Sequence, residues 1–228
     1  MRMSEKIYPI GIQNFEKIRK EGYFYIDKTA LIYRLVKTGS YYFLSRPRRF
    51  GKSLLISTLD AYFRGEKELF KGLAIEKLEK DWVKRPVLHI DLNIGKYDAP
   101  DSLDKILNEA LVKWETVFGT GAGESTLALR FKGVVERAYK QSGQRVAILV
   151  DEYDKPLLQA IGNEELQREY RNTLKPFYGV LKTMDGCIQF AMLTGVTKFG
   201  KVSVFSDLNN LEDLSMWNEY VALCGVSN

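Results

Sequence analysis

A basic turn followed by glycine, lysine and serine is the part of the chain whose residue types could do chemistry. Residues 41–53 read YYFLSRPRRFGKS, and an apolar-periodic run over residues 54–63 follows. A short strand, a turn and a helix that opens at Gly-Lys-Ser form the pattern of a phosphate-binding loop. The backbone N–H groups at such a helix N-terminus point at an anion. The pattern predicts that Gly51 allows close backbone approach, Lys52 binds the β- and γ-phosphates and Ser53 coordinates Mg²⁺.

This loop departs from the pattern G-x-x-x-x-G-K-[ST] in two ways. Arg46 stands where the pattern has glycine, and Pro47 has no N–H to donate. Because the loop then has fewer backbone donors, we expect Arg48 or Arg49 to compensate, since a planar guanidinium suits phosphate oxygens. Phe50 completes the predicted nucleotide-binding segment. Two alternatives stay open: both arginines face a partner protomer or nucleic acid, or the segment is only a basic helix-capping loop.

Paired carboxylates end a strand further along the chain. Residues 144–154 read QRVAILVDEYD, and a continuous apolar run of this length predicts a central parallel strand that is buried on both faces. Acids at its carboxyl end lie on the edge where open α/β sheets bind ligands. We therefore expect Asp151 to hold Mg²⁺ and Glu152 to act as the base or orient the attacking water. A solvated turn after a core strand is the alternative.

A third polar group follows another apolar run. Residues 188–193 read IQFAML and precede Thr194. We expect the hydroxyl of Thr194, in preference to that of Thr197, to lie between the first two sites and to sense the γ-phosphate or position the water. Thr194 thus joins Lys52 and Glu152 as a candidate catalytic residue. Lys52 itself is expected to carry little core packing, because its charge is on a loop.

The composition limits the class of protein. The chain has 228 residues, is 45% hydrophobic and has a formal net charge of +5, which suits one large α/β core or two small ones. It has no apolar run near roughly eighteen residues and no segment like a signal peptide, so we expect a soluble, cytoplasmic protein without membrane contact. One histidine and two cysteines argue against His-dependent triads, histidine metal clusters and a disulfide framework.

Alternating strands and helices must position these groups, which predicts an α/β fold with a central, mostly parallel sheet. We expect Asp27 and Asp101 to cap the helices that follow them. Pro176 is expected either to kink its helix or to start a new segment. The expected helices cover residues 28–37, 101–118, a stretch that ends near Lys140, and 164–183, and a further strand covers 87–92.

Four segments together resemble a known family. Residues 25–29 (YIDKT), the loop 43–53, residues 193–199 (LTGVTKF) and residues 205–211 (FSDLNNL) are similar to the AAA-ATPase-like domain of bacterial P-loop NTPases. The similarity runs over about residues 10–225, and in that family the loop usually reads RPRRFGKS. The resemblance implies a three-layer α/β/α P-loop fold in which the sensor strand lies between the phosphate-loop strand and the Asp151 strand. It also implies ATP as the nucleotide.

Many members of this family carry a C-terminal helical region and a PD-(D/E)xK nuclease-like domain. We find no such pattern here, and we expect a single AAA-ATPase-like domain over residues 1–228 without those parts. Residues 1–40 are expected to wall the base pocket through 10–15 and 25–28, or to serve only as a core-packing lead-in. Self-association, and nucleic acid bound through a linked C-terminal domain, are further partner expectations.

The sequence thus predicts a domain that binds ATP and Mg²⁺ and hydrolyses ATP to drive a conformational switch. One alternative is a degenerate nucleotide-binding module that is structural and has no turnover. The other is a DNA-binding component of a nuclease-linked system, which would use the basic surface to hold DNA.

Overall fold

The centre of the structure is a parallel sheet. The computed structural model describes residues 7–198, 204, 208 and 211–224. Within these residues the strands are β1 (Tyr41–Ser45), β2 (Val87–Asp91), β3 (Val146–Asp151), β4 (Ile188–Gly195) and β5 (Glu212–Asp213). Their order across the sheet is β2-β3-β4-β1-β5, and each neighbouring pair is parallel. The prediction of an α/β fold with a parallel sheet is confirmed.

Helices connect these strands, as parallel pairing requires. The described helices are α1 (Phe15–Lys20), α2 (Thr29–Thr38), α3 (Lys52–Phe63), α4 (Ala74–Leu78), α5 (Ser102–Phe118), α6 (Leu127–Ser142), α7 (Lys155–Gln159) and α8 (Glu164–Thr183). Short 3₁₀ turns cover Lys67–Phe70, Leu92–Ile94, Asp185–Cys187, Leu214–Met216 and Asn218–Leu223. None of the helices in this described part of the chain has the length and apolar character needed to cross a membrane.

Both faces of the sheet are covered, and successive side chains of a strand pack on opposite faces. In β1, Tyr41 and Phe43 belong to one hydrophobic cluster and Tyr42 and Leu44 to the other. Helices α5, α6 and α8 contribute to the first cluster, and α1 to α4 contribute to the second. The sheet therefore has helices on both faces, so polar groups of the central strands reach solvent only at the strand ends.

The two predicted helix caps have different outcomes. The Asp27 carboxylate accepts hydrogen bonds from the backbone N–H of Thr29 (2.9 Å) and from its hydroxyl (2.6 Å) at the start of α2. Asp101 precedes α5 but makes no capping hydrogen bond, so that prediction is wrong. Its carboxylate pairs instead with Lys105 one turn later, at 2.6 Å.

Pro176 neither ends α8 nor starts a new segment. The helix runs through it from Glu164 to Thr183. An internal proline removes one backbone hydrogen bond and costs about 3 kcal/mol or more. Apolar burial offsets that cost, because Leu174, Phe177 and Val180 of this helix are buried in the core.

The parallel order brings several polar strand ends to one edge of the sheet. Asp91 pairs in register with Asp151, and Ser45 with Gly195. Strand β4, which contains Thr194, lies between β1 and β3. Of the segments that carry the family resemblance, Phe199 and most of residues 205–211 lie outside the described residues.

Candidate functional site

The turn between β1 and α3 has an unusual backbone conformation. Gly51 precedes α3 with a φ of 83°, in the left-handed region that a glycine adopts without penalty. Arg49 also has a positive φ, 67°, which costs a non-glycine residue on the order of 1 kcal/mol or more. The backbone N–H of Arg46 donates to the carbonyl of Gly195 at 3.1 Å. The turn is therefore attached at its start to the end of β4.

Lys52 folds back across this turn. Its ammonium donates to the carbonyl oxygens of Arg46 (3.0 Å) and Pro47 (3.2 Å), and its Nζ lies 3.0 Å from Oε1 of Glu152. An ammonium has three N–H donors, so these contacts use all of them. The side chain is only 3% exposed. The expectation that Lys52 carries little packing is wrong, because the lysine closes the turn and links it to the end of β3.

Glu152 reaches Lys52 from a strained backbone position. Its φ is 56°, which is rare outside glycine. Burial raises the pKa of Glu152 above its usual value, the negative charges of Asp151 and Asp154 add to the shift, and the contact with Lys52 opposes it. A raised pKa makes Glu152 a stronger base than a free glutamate.

Asp151 and Thr194 form a second, buried pair. The Thr194 hydroxyl donates to Oδ1 of Asp151, and the two residues are 0% and 4% exposed respectively. β4 extends to Gly195, so Thr194 lies within the strand instead of following it. The backbone N–H of Glu152 approaches the same hydroxyl at 3.4 Å. The structure thus brings Asp151, Thr194 and Glu152 together at the carboxyl ends of β3 and β4.

A cleft of about 660 Å³ lies between the turn and the ends of β2 and β3. Arg48 and Arg49 both line this cleft, and the planar donors of a guanidinium suit the oxygens of an anion. Asp151, Thr194 and Phe50 are not among the described residues that line it. The predicted site residues on its wall are Arg48, Arg49, Gly51, Lys52, Ser53 and Glu152.

A second cavity of about 370 Å³ adjoins this cleft. Its wall is mostly apolar and includes Tyr8, Phe24, Tyr25 and Phe50. The two spaces have four residues in common, which makes them neighbours across the turn. The shared residues are Pro9, Arg49, Gly51 and Leu54.

Sequence reasoning missed the role of Asp154. This carboxylate is 1% exposed and accepts hydrogen bonds from the backbone N–H of Val196 (3.0 Å) and from the N–H (2.7 Å) and hydroxyl (2.9 Å) of Thr197. It therefore fixes the turn after β4 against the end of β3. The residue lies in the same acidic run as Asp151 and Glu152, but its spacing alone does not distinguish a structural clamp from a solvated turn.

Asn93 and Lys155 were also missed, and both line the cleft. Lys155 Nζ donates to the backbone carbonyl of Asn93 and to its side-chain Oδ1, the latter at 2.9 Å. Their positions in the sequence are the signal that could have identified them, because Asn93 follows one predicted strand and Lys155 follows the acidic end of another.

These features define a class of protein. The sheet is parallel, and a lysine closes a basic turn at a helix N-terminus. A carboxylate at the end of a second strand contacts that lysine. Together these features form a P-loop-like α/β architecture. The family described as Predicted AAA-ATPase matches residues 9–205. The chain belongs to this AAA-ATPase-like family.

A relative from Azotobacter chroococcum mcd 1 is similar over almost the whole chain. It is described as "Uncharacterized protein in vnfD 5'region" and is 45% identical over 225 residues, which cover 98% of this chain and 43% of the relative. The chain thus spans less than half the length of the curated relative it matches. No solved structure matches the chain.

The close packing of Gly195 against Tyr153 and Asp154 predicts that a side chain at this position would be destabilising. A Cβ at Gly195 would lie 2.4 Å from Cε1 of Tyr153 and 2.8 Å from Oδ1 of Asp154. The Tyr153 ring is fully buried, so moving it would disturb the packing around it. We expect Gly195→Ala to lower the free energy of unfolding by about 1–3 kcal/mol, measured by urea denaturation.

Gly179→Ala is the matched control, since this α8 glycine has open space around its Cβ position. The control should raise stability by about 0.5–1 kcal/mol. A Gly195→Ala protein as stable as the control would contradict the tight packing of the two strand ends.

Proposed function

We propose that this domain binds ATP with Mg²⁺ in the cleft beside the 46–51 turn and hydrolyses it to drive a conformational switch. The observation that carries the proposal is the position of Lys52, whose ammonium closes the turn at the start of α3 and contacts Glu152. Membership of the AAA-ATPase-like family supports a nucleotide as the ligand.

The turn supplies the phosphate contacts in this proposal. Lys52 would bind the β- and γ-phosphates, and Gly51 would let the backbone approach them closely. Arg48 and Arg49 line the cleft, which supports a role for their guanidinium groups in compensating for the N–H that Pro47 lacks and for the glycine that Arg46 replaces. A phosphate would compete with Glu152 for the ammonium of Lys52.

The oxygen ligands fit Mg²⁺. Ser53 lies on the cleft wall and offers a hydroxyl, and Asp151 offers a carboxylate at the edge of the sheet. Hard oxygen donors are those that Mg²⁺ prefers, and the ion commonly keeps waters between itself and a protein carboxylate. A water between Mg²⁺ and the carboxylate would suit Asp151, which does not line the cleft. When bound, Mg²⁺ would neutralise charge on the phosphate oxygens.

Glu152 would act as the base or orient the attacking water. Its contact with Lys52 brings it to the cleft, and burial raises its pKa. Thr194 would sense the γ-phosphate indirectly. Its hydroxyl is bonded to Asp151 and close to the N–H of Glu152, so a shift of the Asp151 carboxylate or of the Glu152 backbone on nucleotide binding would reach β4.

The second cavity suits the base and ribose. It is about 370 Å³ in volume and mostly apolar, as pockets for flat organic groups usually are. Tyr8, Tyr25 and Ile26 of the N-terminal segment form part of its wall. We assign these residues the role of walling the base pocket, and the preference for adenine follows from the family.

A switch needs something to act on. In the relative the matched region is 43% of the protein, so a domain of this kind has other parts of a longer chain beside it there. We propose that nucleotide turnover moves such a neighbour or a second copy of the domain. Nucleic acid bound through a linked domain is a further proposed partner.

Loss of Lys52 should abolish tight ATP binding. Because Lys52→Ala leaves the partly buried Glu152 carboxylate without its cation, it should also destabilise the fold by about 1–3 kcal/mol. We therefore expect the double variant Lys52→Ala/Glu152→Gln to be more stable than the single one and equally unable to bind. Calorimetry with Mg²⁺-ATP should show affinity losses of more than about a hundredfold in both.

A folded variant that keeps the affinity of the wild type would overturn the phosphate-loop assignment. A salt-dependent shift with duplex DNA that survives Lys52→Ala would instead favour the DNA-binding alternative.

Substitutions of the two adjacent carboxylates should affect ATP binding and ATP hydrolysis differently. Glu152→Gln removes the ion pair with Lys52 but no proposed metal ligand, so ATP should bind at least as tightly while hydrolysis slows on the order of a hundredfold. Asp151→Asn can still accept the Thr194 hydrogen bond but loses its charge, so Mg²⁺-dependent binding should weaken. Single-turnover kinetics and titrations with and without Mg²⁺ measure the two effects.

Equal loss of binding in both variants, with unchanged turnover of bound ATP, would contradict the division of roles. A wild-type protein that binds Mg²⁺-ATP and never hydrolyses it would identify the degenerate structural module.

The two cleft arginines should each contribute to affinity. We expect Arg48→Ala or Arg49→Ala to weaken ATP binding on the order of tenfold, the effect of one charge-assisted hydrogen bond. Arg168→Ala is the control, because Arg168 is exposed on α8 and is not on the cleft wall. Unchanged affinity in both test variants would show that the arginines serve a partner protomer or nucleic acid.

A further inference from the structure

The wall of the cleft that faces the basic turn carries its own cation. Lys155 begins α7 directly after the acidic end of β3, and its backbone N–H donates to the carbonyl of Glu152 at 3.0 Å. Its ammonium donates to the backbone and side-chain oxygens of Asn93, which lies just after β2. The ends of two strands therefore fix the position of this ammonium.

The strand order determines where Lys155 lies relative to the turn. The turn follows β1, whereas Asn93 and Lys155 follow β2 and β3, and β4 lies between β1 and β3. Two strand spacings separate β1 from β3, about 10 Å. Both sides line the same cleft of about 660 Å³. An anion held on Lys52 thus has a second cation across the cleft.

Lys155 differs from Lys52 in how its charge is balanced. Lys52 is paired with Glu152 at 3.0 Å. The described partners of the Lys155 ammonium are the two oxygens of Asn93, which are neutral. The carboxylate of Asp91 is close enough for electrostatic interaction but forms no ion pair with Lys155 in the described part of the chain. Since an ammonium has three donors, Lys155 can offer one to a ligand.

We propose that Lys155, positioned by Asn93, contacts the terminal phosphate of the bound nucleotide and makes the site favour a triphosphate over a diphosphate. This inference rests on the proposed function. The β-phosphate would be held by the turn, and only a phosphate that extends across the cleft would reach Lys155. In this assignment Lys155 contacts the terminal phosphate directly from the cleft wall, whereas Thr194 does not line the cleft.

The experiment compares ATP and ADP affinities by calorimetry in the full chain. Lys155→Met keeps an unbranched side chain and removes the charge. We expect the affinity for Mg²⁺-ATP to fall about tenfold and that for ADP to change less than about twofold, because ADP lacks the phosphate that Lys155 contacts. Asn93→Ala should produce a smaller loss in the same direction, since it leaves the charge but releases one of its two anchors.

Lys132→Met is the matched control, because Lys132 is exposed on α6 and lines neither cavity; its ATP to ADP ratio should equal that of the wild type. Circular dichroism and urea denaturation show that each variant is folded. Equal losses for ATP and ADP, or no loss for either, would overturn the role of Lys155 and leave the proposed function intact. A wild-type protein that binds neither nucleotide would overturn both.

Discussion

The three contacts of the Lys52 ammonium hold the candidate site together. Two of them, to the carbonyls of Arg46 and Pro47, close the turn after β1 on the first turn of α3. The third, to Glu152, joins that turn to the end of β3. A buried ammonium is stable only where its charge and its donors are matched. The turn can therefore keep its strained Arg49, because the lysine fixes the loop from both ends.

The strand order makes this contact possible and adds a second layer beside it. Since β4 lies between β1 and β3, Thr194 is next to Asp151, and their hydrogen bond connects the edge of the sheet to the residue before Glu152. Asp154 then binds the turn after β4 through its carboxylate. These hydrogen bonds hold the end of β3 against the end of β4, and polar networks in a low-dielectric interior are costly to break.

The two neighbouring cavities differ in chemistry in a way that suits one elongated ligand. Cationic side chains line the larger one, and mostly apolar and aromatic groups line the smaller one. They meet at Gly51, where the absence of a side chain leaves the backbone open to both. A nucleotide has the same division, with a charged phosphate chain and a flat base. The N-terminal residues Tyr8 and Tyr25 form part of the apolar wall.

The sequence by itself determined the elements and the residue types of the site. The buried runs before Asp151 and Thr194 and the Gly-Lys-Ser helix start are local signals, because period and turn chemistry act over a few residues. Tertiary structure alone decided the burial of Lys52 and its pairing with Glu152. It also decided that Asp154 is a clamp and that Lys155 faces the turn across the cleft. These facts depend on strand order and on contacts between residues far apart in the chain, which no local pattern specifies.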